Sequence, residues 1–165
     1  MFRPIYAAFG AAALLIASAA HAADVKVMGI HNCCPACTKA ITSALEGAGA
    51  TSVTLKTTEV SFSSDDPEKA VKALYDAGFA VKAEGVKTPA IEGAKGVKGK
   101  ETKVEAVHNC CGSCTRAINA ALKGVGNSTV KPRETSFTVT SDNEVDAEDV
   151  VKALRTAGFN AKVAK

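Results

Sequence analysis

Two short stretches of the chain concentrate almost all of its reactive side chains. Residues 31 to 37 read His-Asn-Cys-Cys-Pro-Ala-Cys, and residues 108 to 114 read His-Asn-Cys-Cys-Gly-Ser-Cys. Together they hold all six cysteines, Cys33, Cys34, Cys37, Cys110, Cys111 and Cys114, and two of the three histidines, His31 and His108. A Cys-x-x-Cys pair brings two sulfurs close enough to clamp one ion, and thiolates prefer soft or borderline ions such as Cu(I) and Zn(II). The third thiol and the histidine widen the donor set, because three thiolates plus an imidazole have the composition of a four-coordinate zinc site.

The same thiols admit two other readings. Cys-Pro-Ala-Cys and Cys-Gly-Ser-Cys have the spacing of thiol–disulfide oxidoreductase sites. Six cysteines could also form a structural disulfide framework. Staples, however, constrain a chain most when they close long loops, and these six lie in two seven-residue loops with three thiols each. Full pairing would therefore need a bridge between the loops. A thioredoxin-like domain would need a longer unit and a different strand order. Metal binding is the reading that clustering favours.

The two stretches belong to an internal duplication. HNCCPACTKAI (31 to 41) matches HNCCGSCTRAI (108 to 118) at a constant offset of 77, Glu59–Phe62 matches Glu134–Phe137 at 75, and VKALYDAGF (71 to 79) matches VKALRTAGF (151 to 159) at 80. The changing offset marks loop insertions. In the first unit, Val25 and Val27 alternate as in a half-buried strand, and Ala40, Ile41, Ala44 and Leu45 recur at helical spacing after the cysteine loop. Glycines 47 and 49 stop that helix. Val53 with Leu55, and Val60 with Phe62, mark two more strands. Asp66-Pro67-Glu68 reads as a helix start, with a capping Asp and Pro in the first turn. Ala70, Val71 and Leu74 form its buried stripe, Gly78 its left-handed end, and Phe79 and Val81 open a last strand. Val104, Ile118, Ala121, Leu122, Val130, Phe137, Val139, Val151, Leu154 and Phe159 take the same roles in the second unit. Pro132 stands where the first has Leu55, so that strand is expected at an edge or cut short.

The order strand, helix, strand, strand, helix, strand predicts an α+β fold, two ferredoxin-like βαββαβ sandwiches in tandem. The expected boundaries are 23–84 and 101–165. Between them, GVKTPAIEGAKGVKGK (85 to 100) has the composition of a flexible linker. At the amino terminus, Arg3, an uncharged run from Tyr6 to Ala20, and Ala20-His21-Ala22 read as a signal peptide over 1–22 with cleavage near Ala22. The apolar run of about 15 residues is shorter than the roughly 18–20 that span a bilayer. The mature chain is expected to be periplasmic or secreted, without a membrane span.

A Cys-x-x-Cys loop after the first strand of such a unit resembles the heavy-metal-associated (HMA) domain family, which includes copper chaperones, amino-terminal domains of metal-pumping ATPases and the periplasmic mercury-binding protein. The family pattern is roughly Gly-Met-x-Cys-x-x-Cys, followed by a helix with Ile and a small-Leu pair. Here Gly29-Ile30 precedes Cys34-Pro35-Ala36-Cys37, then Ile41 and Ala44-Leu45 follow, and the second helix ends in Ala-Gly-Phe. The resemblance covers nearly all of 24–84 and 101–165. It implies metal ligands at Cys34, Cys37, Cys111 and Cys114, about one soft ion per unit (copper, zinc or mercury), and a metal-transporting membrane protein as a partner. Four residues instead of two separate Gly29 from Cys34, and Ile30 and Val107 stand where the family has Met. Cys33 and Cys110 are additions; an adjacent Cys-Cys pair also occurs in some zinc-ATPase domains of the family. Copper is therefore not carried over as the metal.

Composition narrows the alternatives. The 165 residues are 47% hydrophobic and 22% charged, as in folded proteins, with a net charge of +3 and no Trp. That charge is too weak, and the aromatic content too low, for a nucleic-acid binder. No Ser-His-Asp set, carboxylate pair or phosphate-binding Gly loop appears, so an enzyme is not expected.

Overall fold

The computed structural model describes residues 22–164. All but the last residue of the expected signal segment lies outside them. Among the described residues no helix is long and apolar enough to cross a membrane.

The first unit runs β1 (Ala23–Met28), α1 (Pro35–Gly47), β2 (Thr51–Leu55), β3 (Glu59–Ser64), α2 (Pro67–Asp76) and β4 (Lys82–Ala83). Its strands form one antiparallel sheet in the order β2-β3-β1-β4. Alternation sends Val25, Val27, Val60 and Phe62 inward, where they meet Ile41 and Leu45 of α1 and Val71 and Leu74 of α2 in one buried cluster. The helix boundaries follow their sequence signals. Asp66 accepts the backbone N–H of Lys69 at 2.9 Å and Pro67 occupies the first turn. The α1 helix ends at Gly47, and Gly49 is left-handed with φ +92°.

The second unit runs β5 (Lys98–Glu105), α3 (Gly112–Leu122), β6 (Phe137–Asp146), α4 (Ala147–Thr156) and β7 (Lys162–Val163). Its sheet has three strands, in the order β6-β5-β7. The described molecule is thus a mixed α and β structure with four helices and two antiparallel sheets, compatible with the α+β class. Among the described residues, β2 has no counterpart strand in the second unit's sheet. Pro132 cannot donate a ladder hydrogen bond, and the stretch before it keeps only one isolated bridge, Asn127 to Thr140. Long β6 compensates by pairing with β5 as far as Lys98 and Gly99, so the end of the segment read as linker is strand.

The rest of that segment lies along the second unit. The Arg155 guanidinium donates to the carbonyls of Pro89 (2.8 Å) and Ala90 (3.2 Å). Val163 N–H donates to Glu92 O at 2.9 Å, Ala147 N–H donates to Val97 O at 2.9 Å, and Ala94 is fully buried. Composition reads the Gly and Lys content as freedom, whereas these backbone carbonyls find donors on α4 and β7.

The two units pack against each other through their matching Ala-Gly-Phe tails. Phe79 and Phe159 form an antiparallel bridge. Ala80 N–H donates to Gly158 O at 3.0 Å, and Asn160 N–H donates to Gly78 O at 2.9 Å. Both phenylalanines are fully buried. The last strand of each unit consequently begins later than its sequence pattern suggests, because the backbone at Phe79 and Phe159 pairs across the interface first.

Candidate metal centre

Each cysteine loop joins a first strand to a first helix. The chain leaves β1 through left-handed Gly29 (φ +82°) and β5 through left-handed Ala106 (φ +60°). Cys34 and Cys111 then occupy the cap positions of α1 and α3, and neither side chain caps its helix, so both sulfurs remain free to do something else. Cys37 and Cys114 sit one turn inside and are fully buried. Cys33 is exposed, and Cys34, Cys110 and Cys111 are half-buried. All six are free thiols.

The loops, read from sequence as two separate sites, face one another across the interface. Cys33 Sγ lies 3.6 Å from both Cys111 Sγ and Cys114 Sγ. Cys110 Sγ lies 3.4 Å from both Cys34 Sγ and Cys37 Sγ, and Cys37 and Cys114 are 3.7 Å apart. Within the loops, Cys37 lies 3.8 Å from Cys33 and 3.7 Å from Cys34, and Cys114 lies 3.7 Å from Cys110 and 3.8 Å from Cys111. The result is one six-sulfur cluster built equally from both units.

Overlapping three-donor groups in this cluster have ligand atoms within 4.8 Å of one another, among them His31 with Cys33 and Cys114; Cys33 with Cys34 and Cys37; Cys34 with Cys110 and Cys111; and Cys37 with Cys110 and Cys114. Such groups could hold a metal ion. His108 joins none of them. Instead its ring stacks on Phe79 of the other unit, centroids 4.2 Å apart, as His31 lies against Phe159 at 4.5 Å. Both histidines keep a buried Nε2 with no hydrogen-bond partner. Burial pushes both imidazoles below the usual histidine range, with repulsion from His31 adding to the shift at His108.

Loop shape depends on residues beside the cysteines and histidines. Asn109 donates to the carbonyls of Lys131 (2.8 Å) and Glu134 (3.0 Å) and accepts from the Thr115 hydroxyl at 2.9 Å. Asn32 does the same work in the first unit, donating to Lys56 O at 3.2 Å and accepting from Thr38 at 3.0 Å. The signal was present in the duplication, because Asn and Thr recur six residues apart in both loops.

The thiols differ in acidity because they occupy different fields. The backbone N–H of Cys114, with that of Ser113 behind it, holds the Cys111 thiol down at about 6. Burial pushes the Cys33 and Cys110 thiols well up, and their hydrogen bonds to neighbouring sulfurs push in the same direction. Burial also raises Cys114. At Cys37 burial opposes ionisation, but bonds from the Cys33 backbone and the neighbouring thiols outweigh it.

A thiol whose proton leaves near pH 6 is a thiolate at neutrality, and the thiolate is the nucleophile. Iodoacetamide should therefore label Cys111 first. Its rate should rise with pH and level off above about 7, while labelling of Cys33 and Cys110 still climbs at pH 9. Peptide mapping of the metal-free reduced chain reads this. Cys111 labelling that keeps rising in parallel with Cys33 would refute the assignment.

Neither protein-family models nor curated proteins give a match to this chain.

Proposed function

We propose that this chain is an exported soft-metal-ion binding protein, a metallochaperone or scavenger for Cu(I), Zn(II) or Hg(II), acting by binding and not by catalysis. The observation that carries the reading is the convergence of six free thiols from two loops on one place, with His31 beside them. Soft thiolate donors select soft cations. The order β2-β3-β1-β4 in the first unit is that expected of a ferredoxin-like HMA sandwich. The second unit is read as a copy that lost one edge strand to Pro132. Export to the periplasm or beyond follows from the signal-like segment over 1–22.

Exposed Cys33 is the natural entry and exit point. It belongs to two of the three-donor groups, so a thiolate from a partner, such as a metal-transporting membrane protein, can attack an ion there before the inner ligands let go. Buried Cys37 and Cys114 favour retention.

One observation also supports a thiol–disulfide role, namely the acidic thiol of Cys111 beside Cys33. In that reading two thiols would pass two electrons and two protons to the disulfide of a substrate protein and become a disulfide themselves.

The deciding experiment equilibrates the reduced chain with Cu(I), Zn(II) and Hg(II), removes free ion, and counts bound metal and reactive thiols. At least one soft ion should be retained, with most of the six thiols protected from alkylation. A variant with all six cysteines changed to Ser should retain none. A chain that keeps no ion but reduces a disulfide substrate would replace the metal reading with the redox one.

A further inference from the structure

We propose that the six thiols and His31 together hold one polynuclear Cu(I) cluster of four three-coordinate ions, shared between the two units. The proposal rests on the soft-metal reading above and specifies its cargo.

Each of the six sulfurs belongs to at least two overlapping three-donor groups; Cys111, for example, stands with Cys34 and Cys110 and equally with Cys33 and Cys114. Thiolates bridge soft ions readily, and six thiolates that each bridge two ions supply twelve ligand positions, which is enough for four three-coordinate ions. Several of the groups mix donors from both units, so the cluster is incomplete in either unit alone.

Spacing argues for the coordination number. With metal–sulfur bonds of about 2.3 Å, two sulfurs are about 4.6 Å apart on a linear ion, about 4.0 Å on a trigonal ion and about 3.8 Å on a tetrahedral ion. Nine sulfur pairs here are 3.4–3.8 Å apart, five of them between the two units, closer together than a linear two-sulfur clamp holds its sulfurs. Zinc normally takes four ligands, whereas these donors gather in overlapping threes. Three-coordinate binding is a coordination that Cu(I) accepts from thiolates.

Charge fits as well. Six thiolates with four Cu(I) ions carry a net charge of −2. The helices α1 and α3 begin immediately after Cys34 and Cys111, so two helix amino termini, each equivalent to about +0.5 charge, converge on that excess.

The test titrates the full reduced chain, without oxygen, with Cu(I) added as its acetonitrile complex. Native mass spectrometry then follows ions per chain. At half loading the expected spectrum contains chains with no copper and chains with four, all monomeric. Cys110→Ser and Cys111→Ser each remove a bridging sulfur and should each lower the final count below four. X-ray absorption of the wild-type chain needs no variant. It should give three-coordinate copper with a copper–copper scattering vector.

Two ions that load independently, each lost only with the thiols of its own unit, would overturn the shared cluster, as would isolated two-coordinate copper. Retention of Zn(II) or Hg(II) without a copper cluster would overturn it too, while leaving the soft-metal reading standing. A chain that binds none of the three ions would remove that reading itself.

Discussion

Gly158→Ala is expected to destabilise the chain far more than Gly49→Ala, although both glycines are left-handed. Gly49 has φ +92° and open space where a Cβ would stand. Gly158 has φ +86°, and its Cβ would come 2.5 Å from both Gly29 O and His31 N of the other unit. The left-handed conformation alone costs about 1–2 kcal/mol for an L-residue, and that is the whole expected loss at Gly49. At Gly158 the clash is with backbone, which cannot swing aside as a side chain tip can. Adding an overpacking cost of about 1–3 kcal/mol brings the expected loss to about 2–5 kcal/mol. The strain falls on the strand-to-loop junction that aims His31 and Cys33, so any metal ion the cluster retains should be held less well. Gly78→Ala is the mirror experiment, with a Cβ 2.4 Å from His108 N and 2.6 Å from Ala106 O. Denaturant midpoints and counts of bound metal on the three variants decide the matter. Equal losses at Gly49 and Gly158 would mean that only local backbone strain is felt and the units do not press together.

Phe79→Ala and Phe159→Ala should each cost about 3–5 kcal/mol, the usual range for removing a buried phenylalanine. Both rings are fully buried, each lying against the histidine of the opposite unit. Phe62→Ala is the comparison. Phe62 is 2% exposed but lies on β3, facing its own unit's helices. All three should lower stability, yet only the first two should uncouple the units, turning one cooperative unfolding transition into two. The double Phe79→Ala, Phe159→Ala variant should lose less than the sum of the single losses, because the second deletion acts on an interface already loosened. A strictly additive double variant that still unfolds in a single transition would sink the idea that these tails couple the units.

Much of the local structure was legible in the chain because it rests on short-range chemistry. Asp66-Pro67 starts a helix since the Asp oxygen and the missing Pro N–H answer the orphan donors of a first turn. Gly78 ends one because only glycine takes the left-handed turn without strain. Alternation at Val25 and Val27, and at Val60 and Phe62, identified the buried face of the sheet. Pro132 marked a strand that fails, since a residue without an N–H cannot complete a ladder. The duplication, and the six thiols that carry the chemistry, were likewise plain from residue type and spacing.

What the sequence could not decide was where the second copy would sit. Periodicity reports on an element's own faces. It holds no record of two loops 77 residues apart being pressed together. The glycine of each Ala-Gly-Phe tail already had a sufficient local reason to be glycine, which hid its second reason, the backbone of the other unit within 2.5 Å or so of where a Cβ would stand. Each phenylalanine could be assigned to a strand start, although its ring covers the partner's histidine. The segment from 85 to 100 looked free because Gly and Lys suit solvent, while the donors that hold it, Arg155 and Val163, lie more than 60 residues further on. The chain itself thus determined which groups could hold a metal ion. Only packing determined that they share one centre, because distances between sulfurs on different units are set by interface shape and not by spacing along the chain.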